Sequence, residues 1–285
     1  MRVGISHLQW PADQPLDQIL TEMAEIGFLG IEGARDYFGQ SAQLRVLLAD
    51  AGMEMTAGTY AANWFDKEWR HRELEGLRHS AEFYAGVGAD YVVIGSLGSP
   101  QRFLTAGHPP SSLTEGLSDY QWEFFAETIS MAGEICLDEF QLQLVFLNRA
   151  GSFVESREEI DRLVSLTDPQ TVSLAADTGQ LFYGGVDPAE FFERNVERIR
   201  YVHLKDVNPD IYEQNIADGG SYRDFVRMEG FTEVGSGAVD FEAVIETLKS
   251  GGYDGWLVIE QDYTSRDPAV AAGASLEHVN SLLGV

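Results

Sequence analysis

Residues 171–206 read TVSLAADTGQLFYGGVDPAEFFERNVERIRYVHLKD, and this stretch decides the fold. An apolar run over 171–177 ends in Asp177, a helical pattern covers 188–196, and a second apolar run over 199–204 carries His203 just before Lys205. Continuous apolar runs of this length suit strands that are covered on both faces, as in a parallel sheet flanked by helices. Asp187 followed by Pro188 fits a capping carboxylate with Pro in the first helical position. Strand, helix and strand therefore follow in order.

The same unit repeats in both directions. Strands are expected over 2–6, 28–33, 53–58, 89–95, 142–147, 171–177, 199–204 and 255–260. Helices are expected near 15–26, 41–51, 68–87, 120–137, 156–166, 188–196, 240–250 and 268–283. Gly27, Gly52, Gly88 and the pair Gly251-Gly252 stand where helices should stop, and Pro268 after Asp267 starts the last one. Eight strand–helix units without a break predict a closed (β/α)8 barrel, an α/β fold, occupying 1–285 as a single domain. An open doubly wound sheet is the competing arrangement. Against it, no Gly-x-Gly-x-x-Gly follows the first strand and no Gly-Lys-Ser/Thr phosphate loop occurs. The long loops 96–119 and 205–239 both follow strands, so they fall on the carboxyl face where barrels carry chemistry. Within the first, His108-Pro109-Pro110 reads as a rigid lid element or a turn.

Composition narrows the partners. With 19 Lys and Arg against 46 Asp and Glu the formal charge is −27. That balance argues against nucleic-acid and anionic-membrane partners, which require clustered cations. Only Lys67, Lys205 and Lys249 are lysines, so a lysine at a strand end draws notice. The single cysteine, Cys136, excludes an internal disulfide and a multi-cysteine zinc cluster. No apolar leader opens the chain and no run reaches the ~18 apolar residues of a membrane span, so a soluble, cytoplasmic protein is expected.

Strand ends are where a barrel places chemistry. Here they offer His7 and Trp10 after strand one, Glu32 on two, Asn148 and Arg149 after five, Asp177 and Gln180 at six, His203 and Lys205 at seven, and Glu260 and Asp262 at eight. Ionisable groups closing apolar runs are expensive unless something pairs with them. Asp177, His203 and Glu260 close three consecutive strands. One imidazole and two carboxylates suit Mn²⁺, Co²⁺, Mg²⁺ or Zn²⁺, with positions left for water or substrate oxygens.

Asp177-Thr178-Gly179-Gln180, His203-Leu204-Lys205-Asp206 and Glu260-Gln261-Asp262 resemble the xylose-isomerase-like TIM-barrel superfamily of sugar isomerases, epimerases and lyases (AP-endonuclease-2-like). Gly151 to Leu163, Phe231 to Phe241 and Gly252 to Trp256 resemble its inosose-dehydratase-like branch. The resemblance implies metal-assisted removal of a proton next to a carbonyl of a keto-sugar or keto-cyclitol. Asp177, His203 and Glu260 would be ligands, with Glu260 also the base. Lys205 and Arg149 would stabilise negative oxygen. Trp10, Glu32, Asn148, Gln180 and His7 would contact substrate. Partners would be small molecules, with a homo-oligomer left open.

Two departures stand out. The family places a Glu or His ligand at the end of strand five, where this chain has Leu147, and its Asp-Thr-Gly-His is here Asp-Thr-Gly-Gln. Three outcomes compete: a three-ligand metal site that binds more weakly, Arg149 taking over the cation's electrostatic role, or a binding or partner subunit without catalysis. Without a carboxylate on strand five, a one-base elimination is easier to build than a two-base epimerisation. A lyase is therefore preferred, with an isomerase or epimerase as the alternative.

Overall fold

The computed structural model describes residues 1–33, 35–107 and 116–285. His108, Pro109 and Pro110 lie outside them. Among the described residues ten strands occur: β1 Arg2–Ser6, β2 Gly30–Glu32, β3 Glu54–Ala62, β4 Tyr91–Ser96, β5 Gln143–Leu147, β6 Val172–Asp177, β7 Ile199–Leu204, β8 Asp206–Val207, β9 Phe231–Thr232 and β10 Trp256–Ile259. All except β8 and β9 form one closed barrel of parallel strands, with β1 paired to β10 and to β2. The open-sheet alternative is thereby excluded. Among the described residues no helix is long and apolar enough to cross a membrane.

Helices alternate with the barrel strands, and their ends follow local chemistry. Gly27, Gly52 and Gly88 close three of them in left-handed conformation, and Asp187 and Asp267 cap Pro-initiated helices. Ser156 and Glu159 form a capping box ahead of the helix Arg157–Leu166.

Apolar side chains sort into three clusters. The largest packs the outer faces of the strands against the helices. Ala57, Val93, Val145, Ala175, Tyr201, Trp256 and Val258 fill the barrel interior. Trp256 closes its amino end, where a Cβ at Gly30 would meet the Trp256 ring at 2.9 Å and Thr56 at 2.6 Å, so that layer has room only for glycine. The third cluster, with Tyr183, Val207, Phe225 and Phe231, lies at the opposite end beneath the excursion between β7 and β10.

β1 and β7 keep the expected spans, and the other six barrel strands differ by one to four residues at an end. β2 is shorter, its pairing with β1 running only from Gly30 to Glu32, with a shift of register to β3 between Ile31 and Glu32. β3 continues to Ala62, because its pairing with β4 runs on to Ser96. Tyr60 therefore sits inside a strand, donating its hydroxyl to Glu73 at 3.0 Å and packing on Trp64.

Candidate active site

Side chains alternate along a strand, so the interior cluster predicts the rim above it. Two positions beyond Ala57, Val145, Ala175, Tyr201 and Val258 stand Thr59, Leu147, Asp177, His203 and Glu260. Glu32 has the same relation to Gly30. Parallel register sets them side by side: Asp177 pairs with His203, His203 with Val258, and Glu32 with Ser6. The barrel thus turns a sequence pattern into one buried cluster of charge.

Glu32 is the anchor. Its Oε2 accepts from Tyr201 Oη (2.7 Å) and His203 Nε2 (2.7 Å), and its Oε1 from Thr59 Oγ1 (3.3 Å). Burial would raise this carboxyl, but the His203 charge and these hydrogen bonds outweigh it and hold the pKa below the usual range. An ionised carboxylate only accepts, so Nε2 of His203 carries its hydrogen toward Glu32. Nδ1 is left to face Asp177 Oδ2 and Glu260 Oε2, each at 3.4 Å. Neither Nδ1 nor Asp177 Oδ2 has a hydrogen-bond partner, although both are buried. The other Asp177 oxygen caps the helix Thr178–Tyr183 by accepting from Gln180 N at 2.8 Å.

Lys205 is fully buried beside them. Its Nζ lies 2.6 Å from Glu260 Oε1, 2.7 Å from Asp262 Oδ2 and 3.9 Å from Asp177 Oδ2, and 4.5 Å over the Phe231 ring. Burial opposes its charge, but Asp262, Glu260 and Asp177 outweigh that and raise its pKa well above the ordinary amine value. Burial likewise pushes the Glu260 carboxyl up against the pull of Lys205 and His203.

Glu32, Asp177, Glu260 and Asp262 thus face one ammonium and one imidazole. Even a doubly protonated His203 leaves an excess of negative charge, which is costly to bury uncompensated. Glu32, His203 and Glu260 each offer a ligand atom, and these atoms lie within 4.8 Å of one another; they form the one such group among the described residues. Asp177 stands outside that group but reaches Nδ1 of the same imidazole. With metal–ligand bonds of ~2.1 Å, neighbouring donors of a tetrahedral site lie roughly 3.4 Å apart, as the two carboxylate oxygens do from Nδ1. Oxygen and nitrogen donors, unpartnered buried atoms and excess negative charge together fit a divalent cation.

The other expected site residues are distributed unevenly. Leu147 occupies the β5 rim position and is partly exposed at the edge of the interior cluster. Asn148 is buried with Nδ2 unpartnered. Arg149 is exposed and joins no ion pair among the described residues; its backbone N–H bonds Val154. His7 donates Nδ1 to the Glu32 carbonyl at 3.0 Å, placing its ring at the rim against Gly33. Two expectations change. Trp10 is not an open platform over the carboxylates: it is 3% exposed, belongs to the outer core, and donates its indole N–H to Glu22 at 2.9 Å. Gln180 has both ends of its amide engaged internally, Oε1 by Ala150 N at 2.9 Å and Nε2 by Tyr222 Oη at 2.7 Å. Nearby, the Glu155 carboxylate accepts from Gly107 N and Gly151 N.

Neither Tyr201 nor Tyr222 stands among the strand-end residues that the sequence offers, whereas Thr59 does, at the end of the expected third strand. Tyr201 had a signal, since it lies two residues before His203 on the same strand face. Tyr222 had none, because it comes from a helix within a loop.

Residues 20–282 match the xylose isomerase-like TIM barrel family. Inosose dehydratase of Geobacillus kaustophilus (strain HTA426) is 34% identical over 278 residues, covering 95% of this chain and 89% of that protein. The IOLI protein, whose structure holds a zinc atom, superposes with a TM-score of 0.77 at 13% identity, covering 100% of this chain and 98% of that one. The probable 3-DHS dehydratase AsbF of Bacillus anthracis gives a TM-score of 0.76 at 14% identity, covering 98% and 99%. At those identities the two structures speak to the fold alone. The near full-length match and the closed parallel barrel agree, and the chain belongs to the xylose isomerase-like TIM barrel family.

Proposed function

We propose that this protein is a metal-assisted dehydratase of a keto-cyclitol or keto-sugar, the activity class named for its inosose dehydratase relatives. The observation that carries the reading is one-sidedness. The carboxylates crowding His203 come from β2, β6 and the end of β10, while β5 presents Leu147 across the rim. One side of the substrate then meets a base and the other does not, which suits elimination rather than two-base epimerisation.

Asp177, His203 and Glu260 would hold the cation, with Glu32 orienting His203 through Nε2 as a carboxylate partner does for a liganding imidazole. A bound Mn²⁺, Co²⁺, Mg²⁺ or Zn²⁺ would acidify the α-proton by drawing charge from the carbonyl. Glu260 accepts that proton. Lys205, held by Glu260 and Asp262, sets a fixed positive charge beside the developing enediolate. The unpartnered Nδ2 of Asn148 donates to a substrate oxygen, and the free guanidinium of Arg149 draws oxygen-rich substrate to the mouth. His7 lines the rim.

The test combines metal analysis with turnover. Purified protein should gain thermal stability with at least one of the four ions, and Asp177→Ala and His203→Ala should lose that gain. Inosose should be converted with enone absorbance appearing. No shift with any ion, or α-proton exchange without loss of water, would refute the reading.

A further inference from the structure

Gln180 determines what its neighbour Tyr222 can do. An amide side chain has a donor end and an acceptor end, and here the orientation is settled by a backbone N–H. Ala150 N can only donate, so the end facing it at 2.9 Å is Oε1. The end facing Tyr222 Oη at 2.7 Å is therefore Nε2, a donor. The phenol oxygen accepts that bond, and the phenol hydrogen is left for another acceptor. The backbone N–H of the same Gln180 is held by Asp177 Oδ1 at 2.8 Å, tying the phenol to the candidate metal-binding carboxylates.

Packing fixes the ring. Tyr222 lies edge-on to Tyr183, with centroids 5.1 Å apart, and against Phe231 at 5.9 Å. Phe231 is also the ring beneath the Lys205 ammonium. The charges bearing on the hydroxyl are Asp262, Lys205, Arg149 and Asp177, all from the mouth.

We infer that Tyr222 supplies the proton that turns the departing hydroxyl into water. The inference rests on the dehydratase reading above. Glu260 takes the α-proton, and the C–H electron pair enters the enediolate. That pair then forms the new carbon–carbon double bond as the C–O bond breaks. The departing oxygen leaves with the C–O pair and receives the phenol hydrogen. A phenolate remains, with the Lys205 and Arg149 charges opposing part of the cost of burying it, and Glu260 is left neutral. Solvent carries the Glu260 proton back to the phenolate, so substrate has become enone and water with the protein restored. Burial and Asp262 raise the phenol pKa, so Tyr222 enters each cycle protonated.

Tyr222→Phe keeps the ring and removes only the hydroxyl. Inosose is the first probe, and its analogue with fluoride in place of the departing hydroxyl is the second, because fluoride leaves without a proton. For Tyr222→Phe, dehydration of inosose should fall about 100-fold or more, the usual contribution of a positioned acid. Exchange of the α-proton in D2O, followed by NMR, and fluoride release should stay within about 3-fold of the unaltered protein, because neither needs the acid. Gln180→Leu, which releases the phenol from its donor, should lower dehydration selectively by a smaller factor. Unchanged dehydration in Tyr222→Phe overturns the inference. So does a parallel loss of exchange and fluoride release, which marks a structural role. An unaltered protein that neither exchanges nor dehydrates inosose overturns the dehydratase reading itself, an outcome distinct from the other two.

Discussion

Replacing Asp206 by Asn exchanges one oxygen of a fully buried side chain for an NH2 group and should unfasten the excursion between β7 and β10. Oδ1 accepts from Val207 N (2.8 Å) and Val239 N (3.1 Å), and Oδ2 from Gly235 N (2.9 Å) and Gly237 N (2.8 Å). Only a carboxylate can accept at both ends. With Asn, one oxygen keeps two of the donors, and the amide nitrogen then confronts the other two, hydrogen against hydrogen. A hydrogen bond to a charged group contributes about 1.5–3 kcal/mol, so two lost bonds amount to about 3–6 kcal/mol if the donors stay dry. Gly235 is exposed and Gly237 partly so, and hydration after local opening brings the expected loss to about 2–4 kcal/mol. At about 2–4 °C per kcal/mol for a chain near this size, Asp206→Asn should melt roughly 5–15 °C lower by far-UV circular dichroism. Amide exchange at Gly235, Gly237 and Val239 should accelerate before the barrel strands open. A variant melting within about 2 °C of the unaltered protein would refute the reasoning. The four bonds would then be replaceable by water.

Other expectations follow from burial, charge and close approach. Gly98→Ala would drive a Cβ into the Gly151 carbonyl oxygen, so the loops after β4 and β5 must part. The cost should be about 1–3 kcal/mol or more in urea unfolding, and an unchanged midpoint would contradict the contact. Cys136 is fully buried, and burial together with the Glu139 charge pushes its thiol up to about 12. At pH 8 the thiolate is therefore about one part in 10,000, and Ellman's reagent should react only when the chain unfolds. Stoichiometric labelling of the folded protein within minutes would disprove this. The net charge of −27 makes self-repulsion a large destabilising contribution. Raising NaCl from about 0.01 M to 1 M shortens the screening length from ~30 Å to ~3 Å, so Tm should rise; a fall would show that salt-sensitive ion pairs dominate.

Barrel and rim were legible because both rest on short-range periodicity. Runs such as 171–177 and 199–204 announce strands by their apolar content, and alternation then carries Asp177 and His203 to the inner face. Trp10 shows where that periodic signal stops. Its place after β1 predicts the mouth, but the Glu22 carboxylate on the first helix turns the indole into the core. Nothing local to Trp10 encodes that partner.

The order of apolar runs and breakers favoured the barrel over an open sheet and set Asp177, His203 and Glu260 at the carboxyl ends of successive strands, because backbone hydrogen bonding and strand alternation leave few other arrangements. Only the tertiary structure decided how those groups are wired. Glu32 lies 171 positions from the imidazole it orients, Gln180 meets Ala150 across two strands, and Tyr222 reaches the mouth from a loop helix. Side-chain hydrogen bonds between distant segments depend on distances of a few tenths of an ångström. Those distances are set by packing of the whole barrel and appear in no single stretch of the chain.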